Sequence, residues 1–406
     1  MTRDVTKDLL NTACSPVELE VFLHTYFESS SQTEENKISH AGKFTVEYYG
    51  KNNDKHRQIK SIHLMDEKDT DLLEDVKRES SKALASDNGT QIGRVVLFSD
   101  SEVKANYRFK NEFQISPIPE NAPKPNQLHA QYPFILEFSY QRSCNKMVNM
   151  HRSTQTLQTL TLIFNVFLKM GVMPPKNHAH KEWVLVRDER NPSTLETKCV
   201  QLGYYFNDVE DRQKDQYGFT IYQNAMDFIK LSPNEYFSPN SFGLGDEFAL
   251  PDNFDDLISK FFSLSEKDKS DFIRASYWKR VSSNTVSISM SNAYVALVNS
   301  IESLISQEVT SGICEHCKKE NKKGLTQLFA DFVDKYCPGL EEAQRKELYS
   351  IRSKYTHGKQ LMIGDLDRMG FRFNAAKNDE EKKYRMIANI VQISMINWLC
   401  ARLSIT

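Results

Sequence analysis

The sequence lacks the features that mark secreted and membrane-spanning proteins. It has only seven cysteines among 406 residues, and an odd, thinly spread set argues against a disulfide scaffold. The longest apolar run, residues 160–168, is about half of the ~20 residues that a membrane helix needs. Met1 is not followed by a charged and then apolar signal segment. We therefore expect a cytoplasmic protein with no membrane partner.

The chain also lacks an excess of charge of either sign. It has 52 lysines and arginines against 54 aspartates and glutamates, for a net charge of −2. A protein that coats nucleic acid through bulk charge is strongly positive, so this class is excluded, whereas a local basic site is not. Hydrophobic residues make up 39% and charged residues 26%, which is ordinary for a globular chain of two or three domains.

The short motifs of the commonest enzyme classes are absent as well. The sequence has no phosphate-binding glycine loop, no His-Glu-x-x-His, no Gly-x-Ser-x-Gly and no dinucleotide-binding fingerprint. These absences argue against an NTPase, a zinc protease, an esterase and a dehydrogenase.

The N-terminal half of the chain is rich in strand signals. Residues 44–48 alternate between apolar and polar and are followed by a polar turn, so the pattern predicts a hairpin over 43–64. Further strands are predicted over 95–98, 134–138, 183–186, 204–206 and 218–221, and a helix over 153–170.

The character of the sequence changes after about residue 230. Residues 231–253 are rich in proline, glycine, serine and asparagine, which is typical of a connection between domains. Helical spacing of apolar residues then predicts helices over 254–263, 266–282, 290–308, 325–336, 341–357 and 380–403. We predict an α+β fold: a β-rich N-terminal domain, residues 1–240, followed by an all-α helical bundle, residues 241–406.

One predicted helix carries a pair of residues suited to cleaving RNA. Arg352 and His357 stand five positions apart near the end of this helix, and Gly358 follows directly. Arginine presents a fixed fork of donors that suits phosphate, and histidine can give or take a proton near neutral pH. One group can move a proton to or from the 2′-hydroxyl or the leaving oxygen, while the other stabilises the added negative charge on phosphorus.

The spacing by itself does not bring the two side chains together. Positions five apart lie about 140° apart around an α-helix, so they do not face one point on a straight helix. Either Gly358 ends the helix and lets His357 turn, or two helices meet and share their pairs across a two-fold axis. A similar pair, Arg57 and His63, falls in the predicted hairpin, so only context distinguishes Arg352 and His357.

That context resembles a known family. The resemblance lies in residues 272–278, 292–305 and above all 349–358. The stretch 266–403, about a third of the chain, is similar to the HEPN superfamily, and specifically to the Apea-like HEPN domains of prokaryotic defence proteins. The family motif is an arginine, four to six residues and a histidine, often with a polar residue directly after the arginine. Ser353 occupies that place here.

The resemblance implies a helical bundle that dimerises and a metal-independent endoribonuclease that needs no cofactor. Arg352 and His357 would act in pairs from two protomers of a homodimer or a higher even oligomer. The resemblance also implies a role in antiphage defence by abortive infection, with a phage-derived trigger and the N-terminal domain as sensor or regulator. The alternative is a non-catalytic HEPN dimerisation scaffold, whose N-terminal domain binds a phage or host macromolecule.

Residues near the motif are candidates for supporting roles. Lys354 and Lys359 are candidates to bind RNA phosphates, with ordinary solvated lysines as the alternative. Glu302 lies on an earlier helix of the bundle and is a candidate to orient Arg352 or His357, with an ordinary surface glutamate as the alternative.

Cys314 and Cys317 form a Cys-x-x-Cys pair of the kind that binds zinc. A structural zinc site needs four ligands, and the sequence has no second such pair, so His316, Cys337 or a partner chain would have to complete it. The alternatives are a redox pair and plain reduced thiols.

Overall fold

The computed structural model describes residues 2–11, 15–27, 29–49, 58–85, 89–120, 132–169, 172–173, 181–187, 195–201, 218–222, 226–238, 247–305, 310–313, 320–356, 360–366 and 375–402. Strands dominate the N-terminal part of these residues and helices the C-terminal part. This confirms the α+β class and the order of its two parts, whereas membership of the HEPN superfamily stays a prediction. No helix in the described ranges combines the length and apolar character that crossing a bilayer requires.

The first unit, residues 3–84, is a five-stranded antiparallel sheet with helices packed on it. Its elements are β1 (Arg3–Asp4), α1 (Thr6–Leu10), α2 (Pro16–Tyr26), β2 (Ser30–Glu34), β3 (Lys37–His40), β4 (Phe44–Tyr48), β5 (Ile59–Leu64) and α3 (Thr70–Leu84). The strand order is β1, β5, β4, β3, β2. Strands β4 and β5 form the predicted hairpin, with Phe44 opposite Leu64. Inward-facing residues of this hairpin and the helices form a buried cluster, which we call the first core.

His40 is a fully buried histidine at the end of β3. Its Nδ1 lies 2.8 Å from Oγ of Ser30, and its ring meets that of His24 edge-on at 4.8 Å between centroids. Burial, together with the nearby His24, lowers the pKa of His40 to about 4. The imidazole is therefore neutral in the folded protein at physiological pH.

We expect the first unit to lose stability as the pH falls from 6.5 towards 4. An unfolded histidine takes up a proton near pH 6.5, whereas folded His40 resists protonation until about pH 4. The stability that neutral His40 contributes is thus present above pH 6.5 and decreases through this window, by about 2 kcal/mol at pH 5. Urea unfolding at several pH values measures the effect. His40→Gln should flatten the pH dependence and His63→Gln should not; an unchanged slope in His40→Gln would contradict the explanation.

A second sheet supports the long helix that follows it. The strands are β6 (Thr90–Ser99), β7 (Tyr107–Phe109), β8 (Phe113–Pro117), β9 (Tyr132–Gln141) and β10 (Val172–Met173), and the helix is α4 (Lys146–Phe167). The strand order is β10, β6, β9, β8, β7. The long strands β6 and β9 contain the strands predicted over 95–98 and 134–138, and α4 contains most of the predicted helix 153–170. One face of this sheet and α4 belong to a larger buried cluster, the second core.

Helix α4 connects the two cores. Near its N-terminus, Val148 is buried in the first core, and Arg152 donates from Nε and Nη2 to the two carboxylate oxygens of Glu18 on α2, at 2.8 and 3.0 Å. At its C-terminal end, Lys279 Nζ donates to the Asn165 carbonyl at 2.6 Å. Glu18 belongs to the first unit and Lys279 to the helical part of the chain, so α4 makes polar contacts with both parts.

The strand predicted over 218–221 is wrong, and a buried carboxylate explains why. Glu137 on β9 is fully buried, and its oxygens accept the backbone N–H of Thr220 at 2.9 Å and also the Thr220 hydroxyl. Gln114 Nε2 donates to the Thr220 carbonyl at 3.0 Å. The polar backbone groups of Thr220 are therefore satisfied by side chains of the second sheet, and the segment forms no ladder of its own.

Two further small sheets lie before the helical part. Strands β11 (Lys181–Arg187) and β12 (Leu195–Gln201) pair antiparallel, which confirms the strand predicted over 183–186, whereas the one predicted over 204–206 lies outside the described residues. Around α5 (Pro233–Tyr236), β13 (Ile229–Leu231) and β14 (Ala249–Pro251) pair in parallel. Tyr236 and Leu250 are buried in the second core, which continues from the second sheet into the helices. A domain boundary near residue 240 stays a prediction.

Helices make up most of the described C-terminal residues. They are α6 (Phe254–Phe262), α7 (Glu266–Thr285), α8 (Met290–Glu302), α9 (Leu325–Tyr336), α10 (Glu342–Thr356), α11 (Ile363–Leu366) and α12 (Ala375–Cys400), with the hairpin β15 (Thr310–Ile313) and β16 (Glu320–Lys322) after α8. The six predicted helices are present. Helix α8 ends at Glu302 instead of residue 308, because the chain tightens into turns in which the Leu304 N–H bonds to the Ile301 carbonyl at 2.9 Å.

Candidate active site

The packing of α10 on α8 positions Arg352. Leu348, Ile351 and Tyr355 share one face of α10 and pack into the second core. Tyr294 of α8 fixes the helix further: its hydroxyl donates to the Leu348 carbonyl at 2.8 Å, and its ring meets that of Tyr355 edge-on at 5.8 Å. Arg352 therefore projects from an anchored helix.

Two residues of α8 hold the guanidinium of Arg352. Its Nη2 donates to Oε2 of Glu302 at 3.2 Å and to Oδ1 of Asn299 at 3.5 Å. Asn299 and Glu302 stand three positions apart and so lie on one face of α8. The side chains of Arg352 and Glu302 are 24% and 20% exposed. The ion pair is thus partly withdrawn from water but remains reachable.

Tyr349, one turn before Arg352, contacts the same carboxylate. Its hydroxyl donates to Oε1 of Glu302 at 2.8 Å, and its ring packs against that of Phe329 at 5.3 Å. Burial, followed by the hydrogen bond to Glu302, raises the pKa of Tyr349 to about 12. The hydroxyl therefore keeps its proton and donates to Glu302 throughout the physiological pH range.

Other donors of Arg352 have no hydrogen-bond partner in the part of the chain that the structure describes. Nε is buried and unpaired within these residues. Nη1 has no hydrogen-bond partner among the described residues. Because an arginine offers five N–H donors in a planar fork, this one retains donors for an anion such as a phosphate oxygen.

Of the other predicted site residues on and after α10, the structure describes Ser353 and Lys354. Ser353 is half-buried and Lys354 is exposed, and exposure is what contact with an RNA phosphate requires. His357 and Lys359 lie outside the described residues, so the pairing of Arg352 with His357 stays a prediction. In the sequence His357 directly follows Thr356, the last residue of α10, whose hydroxyl donates to the Arg352 carbonyl at 2.9 Å.

The predicted zinc pair falls beyond what the structure describes. Cys314, His316 and Cys317 lie outside the described residues, and Cys337 is a half-buried free thiol, whose pKa is raised by burial. Within the described ranges no three histidine, cysteine, aspartate or glutamate side chains are grouped so that they could hold a metal ion. Zinc at Cys314 and Cys317 therefore stays a prediction.

Sequence reasoning missed Asn299 and Tyr349. Each stands three positions before a predicted residue, Asn299 before Glu302 and Tyr349 before Arg352, so each shares a helical face with it. A search for polar side chains three or four positions from each candidate would have found both.

Comparison with known proteins found no relative of this chain. No protein-family model, curated protein or solved structure against which the chain was compared matches it. The resemblance to HEPN domains therefore rests on the sequence segments themselves, and function is argued from the site.

Proposed function

We propose that this protein is a metal-independent endoribonuclease of the HEPN type that acts in antiphage defence by abortive infection. The observation that supports this most is the guanidinium of Arg352. Glu302 and Asn299 hold one of its nitrogens, while other donors remain free among the described residues, five positions before a histidine in the sequence.

In this proposal Arg352 and His357 divide the chemistry. His357 takes the proton of the 2′-hydroxyl or supplies one to the leaving 5′-oxygen. The 2′-oxygen forms a bond to phosphorus as the bond from phosphorus to the 5′-oxygen breaks, which leaves a 2′,3′-cyclic phosphate and a 5′-hydroxyl. Arg352 donates to a non-bridging oxygen, where negative charge grows in the transition state. Lys354 and Lys359 bind neighbouring phosphates.

The proposal includes assembly and control. Two protomers of a homodimer or a higher even oligomer each contribute one pair to a shared site. An arginine of one protomer can then meet a histidine of the other, although positions 352 and 357 lie about 140° apart around a single helix. The N-terminal part responds to a phage-derived trigger. Its structural support is α4, which carries Arg152 bound to Glu18 at one end and Asn165 bound to Lys279 at the other.

A non-catalytic dimerisation scaffold is the second candidate, and one observation favours it. The salt bridge between Arg352 and Glu302 is what a purely structural arginine would form. Against this reading, the bridge uses a single guanidinium nitrogen, and buried Nε finds no partner within the described ranges. A structural role would favour two parallel hydrogen bonds.

Phage plating combined with total-RNA profiling tests the function in cells. We expect wild type to reduce plaque formation and to produce RNA fragments after infection, because proton transfer by one histidine accelerates cleavage by about 10²–10⁴-fold. His357→Ala should do neither. His24→Ala, which alters an exposed histidine of α2, serves as the control. Protection by His357→Ala equal to that of wild type would overturn the assignment.

A further inference from the structure

The carboxylate of Glu302 is shared between two residues of α10. Its Oε1 accepts from the Tyr349 hydroxyl at 2.8 Å, and its Oε2 accepts from Nη2 of Arg352 at 3.2 Å. A carboxylate and a guanidinium often pair at two points, through parallel hydrogen bonds. Here the contact with Arg352 is made through Oε2 only, while Oε1 is held by the Tyr349 hydroxyl.

The donor that a two-point pair would use is present and unsatisfied. Nε of Arg352 is buried and has no hydrogen-bond partner among the residues that the structure describes, and it lies on the same edge of the guanidinium plane as one terminal nitrogen. A buried unpaired N–H is unfavourable, because it has lost its hydrogen bonds to water without gaining a partner. Arg352 is therefore held with one unpaired N–H donor, which a two-point pair with Glu302 would satisfy.

We propose that Tyr349 is a positioning residue: its hydrogen bond to Oε1 fixes the Glu302 carboxylate in an orientation in which only Oε2 contacts Arg352, and this keeps the guanidinium available to the substrate phosphate. This inference rests on the proposed ribonuclease function. Tyr349 itself is well fixed, since it is 7% exposed and its ring packs on Phe329. Asn299 accepts from the same Nη2 and so reinforces the one-nitrogen contact.

Tyr349→Phe tests the proposal because it removes the hydroxyl and keeps the ring. Oε1 of Glu302 should then turn to Nε of Arg352, and the guanidinium would be bound and neutralised at two points. We expect kcat for RNA cleavage to fall about tenfold, the lower range for a hydrogen bond to a charged group, with KM within about twofold because ground-state contacts are retained.

A double-mutant cycle separates positioning from general damage. Glu302→Gln removes the negative charge that would trap Arg352, so adding Tyr349→Phe to that variant should change kcat less than twofold. The matched control is Tyr384→Phe on α12, which loses a contact of 3.0 Å with Oγ of Ser282 and should leave kcat unchanged. Equal effects of Tyr349→Phe with and without Glu302→Gln would overturn the proposal.

A crystal structure of Tyr349→Phe gives a readout that does not depend on activity. The proposal predicts Oε1 of Glu302 within hydrogen-bond distance of Nε of Arg352, and it is overturned if Oε1 stays away from Nε. If wild type cleaves no RNA, the proposed function fails, and the structure of the variant still decides whether Tyr349 controls the ion pair.

Discussion

Replacing Arg352 with alanine is expected to slow RNA cleavage by the purified protein by about 10²–10³-fold, the effect of removing one donor aimed at developing charge. The expectation follows from its remaining donors, which have no partner among the described residues, and from its anchoring by Glu302 and Asn299. Arg352→Lys should recover only part of the rate, because an ammonium supplies charge without the planar fork. Initial rates on a labelled RNA measure both.

The folded state should change little in Arg352→Ala. The ion pair with Glu302 is partly exposed, and such pairs contribute about 0–1 kcal/mol. Arg385→Ala is the matched control, since Arg385 lies on α12 with its side chain 81% exposed. If Arg352→Ala cleaved RNA as fast as this control, the guanidinium would have no role in the reaction.

Arg152→Ala is expected to destabilise the N-terminal part by about 3–5 kcal/mol, the cost of breaking a buried ion pair by removing one partner. Arg152 is 7% exposed. It binds both oxygens of Glu18 and also donates to the carbonyls of Arg142 and Leu84, at 3.0 and 3.1 Å. Its loss removes the cation that pairs with the Glu18 carboxylate and the donor that Arg152 supplies to each of the two carbonyls.

Urea unfolding followed by hydrogen exchange in α2 and α4 measures this loss. The double variant Arg152→Met with Glu18→Met should recover much of it, because two apolar side chains replace a buried ion pair at little cost. Lys82→Ala on α3, whose contact with Glu79 is exposed, should change the free energy of unfolding by less than about 0.5 kcal/mol. If Arg152→Ala lowered the free energy of unfolding by no more than Lys82→Ala does, the ion pair between Arg152 and Glu18 would not be needed for the stability of the N-terminal part.

Periodicity predicted the helical part well and the N-terminal part less completely. The long helices repeat their apolar residues every three to four positions, so most of their ends fall within about three residues of the prediction; the C-terminal end of α8 and the N-terminal end of α12 differ by more. Helix α3 was not predicted, because its apolar residues lie within a region dominated by strand signals. The segment around Thr220 was misassigned because one buried carboxylate, Glu137, decides its conformation, and the sequence pattern does not show that contact.

The candidate site shows the same limit. Sequence reasoning selected Arg352 and Glu302. The structure places Nη2 of Arg352 3.2 Å from Oε2 of Glu302. Helical spacing makes Asn299 and Tyr349 candidates as well, but whether they contact Arg352 and Glu302 depends on how α8 and α10 are rotated against each other. That rotation is set by the packing of Tyr294 and Leu348, a tertiary contact with no counterpart in local propensity.

If Arg352 and His357 cleave RNA without a metal ion, as we propose, cleavage should continue when divalent metal ions are removed. The test is incubation of wild type, purified from phage-infected cells, with RNA in excess EDTA, followed by analysis of the product ends. We expect cleavage that leaves 2′,3′-cyclic phosphate and 5′-hydroxyl ends and that is lost in Arg352→Ala and His357→Ala. Cleavage that stops in EDTA, or that persists in both variants, would contradict it.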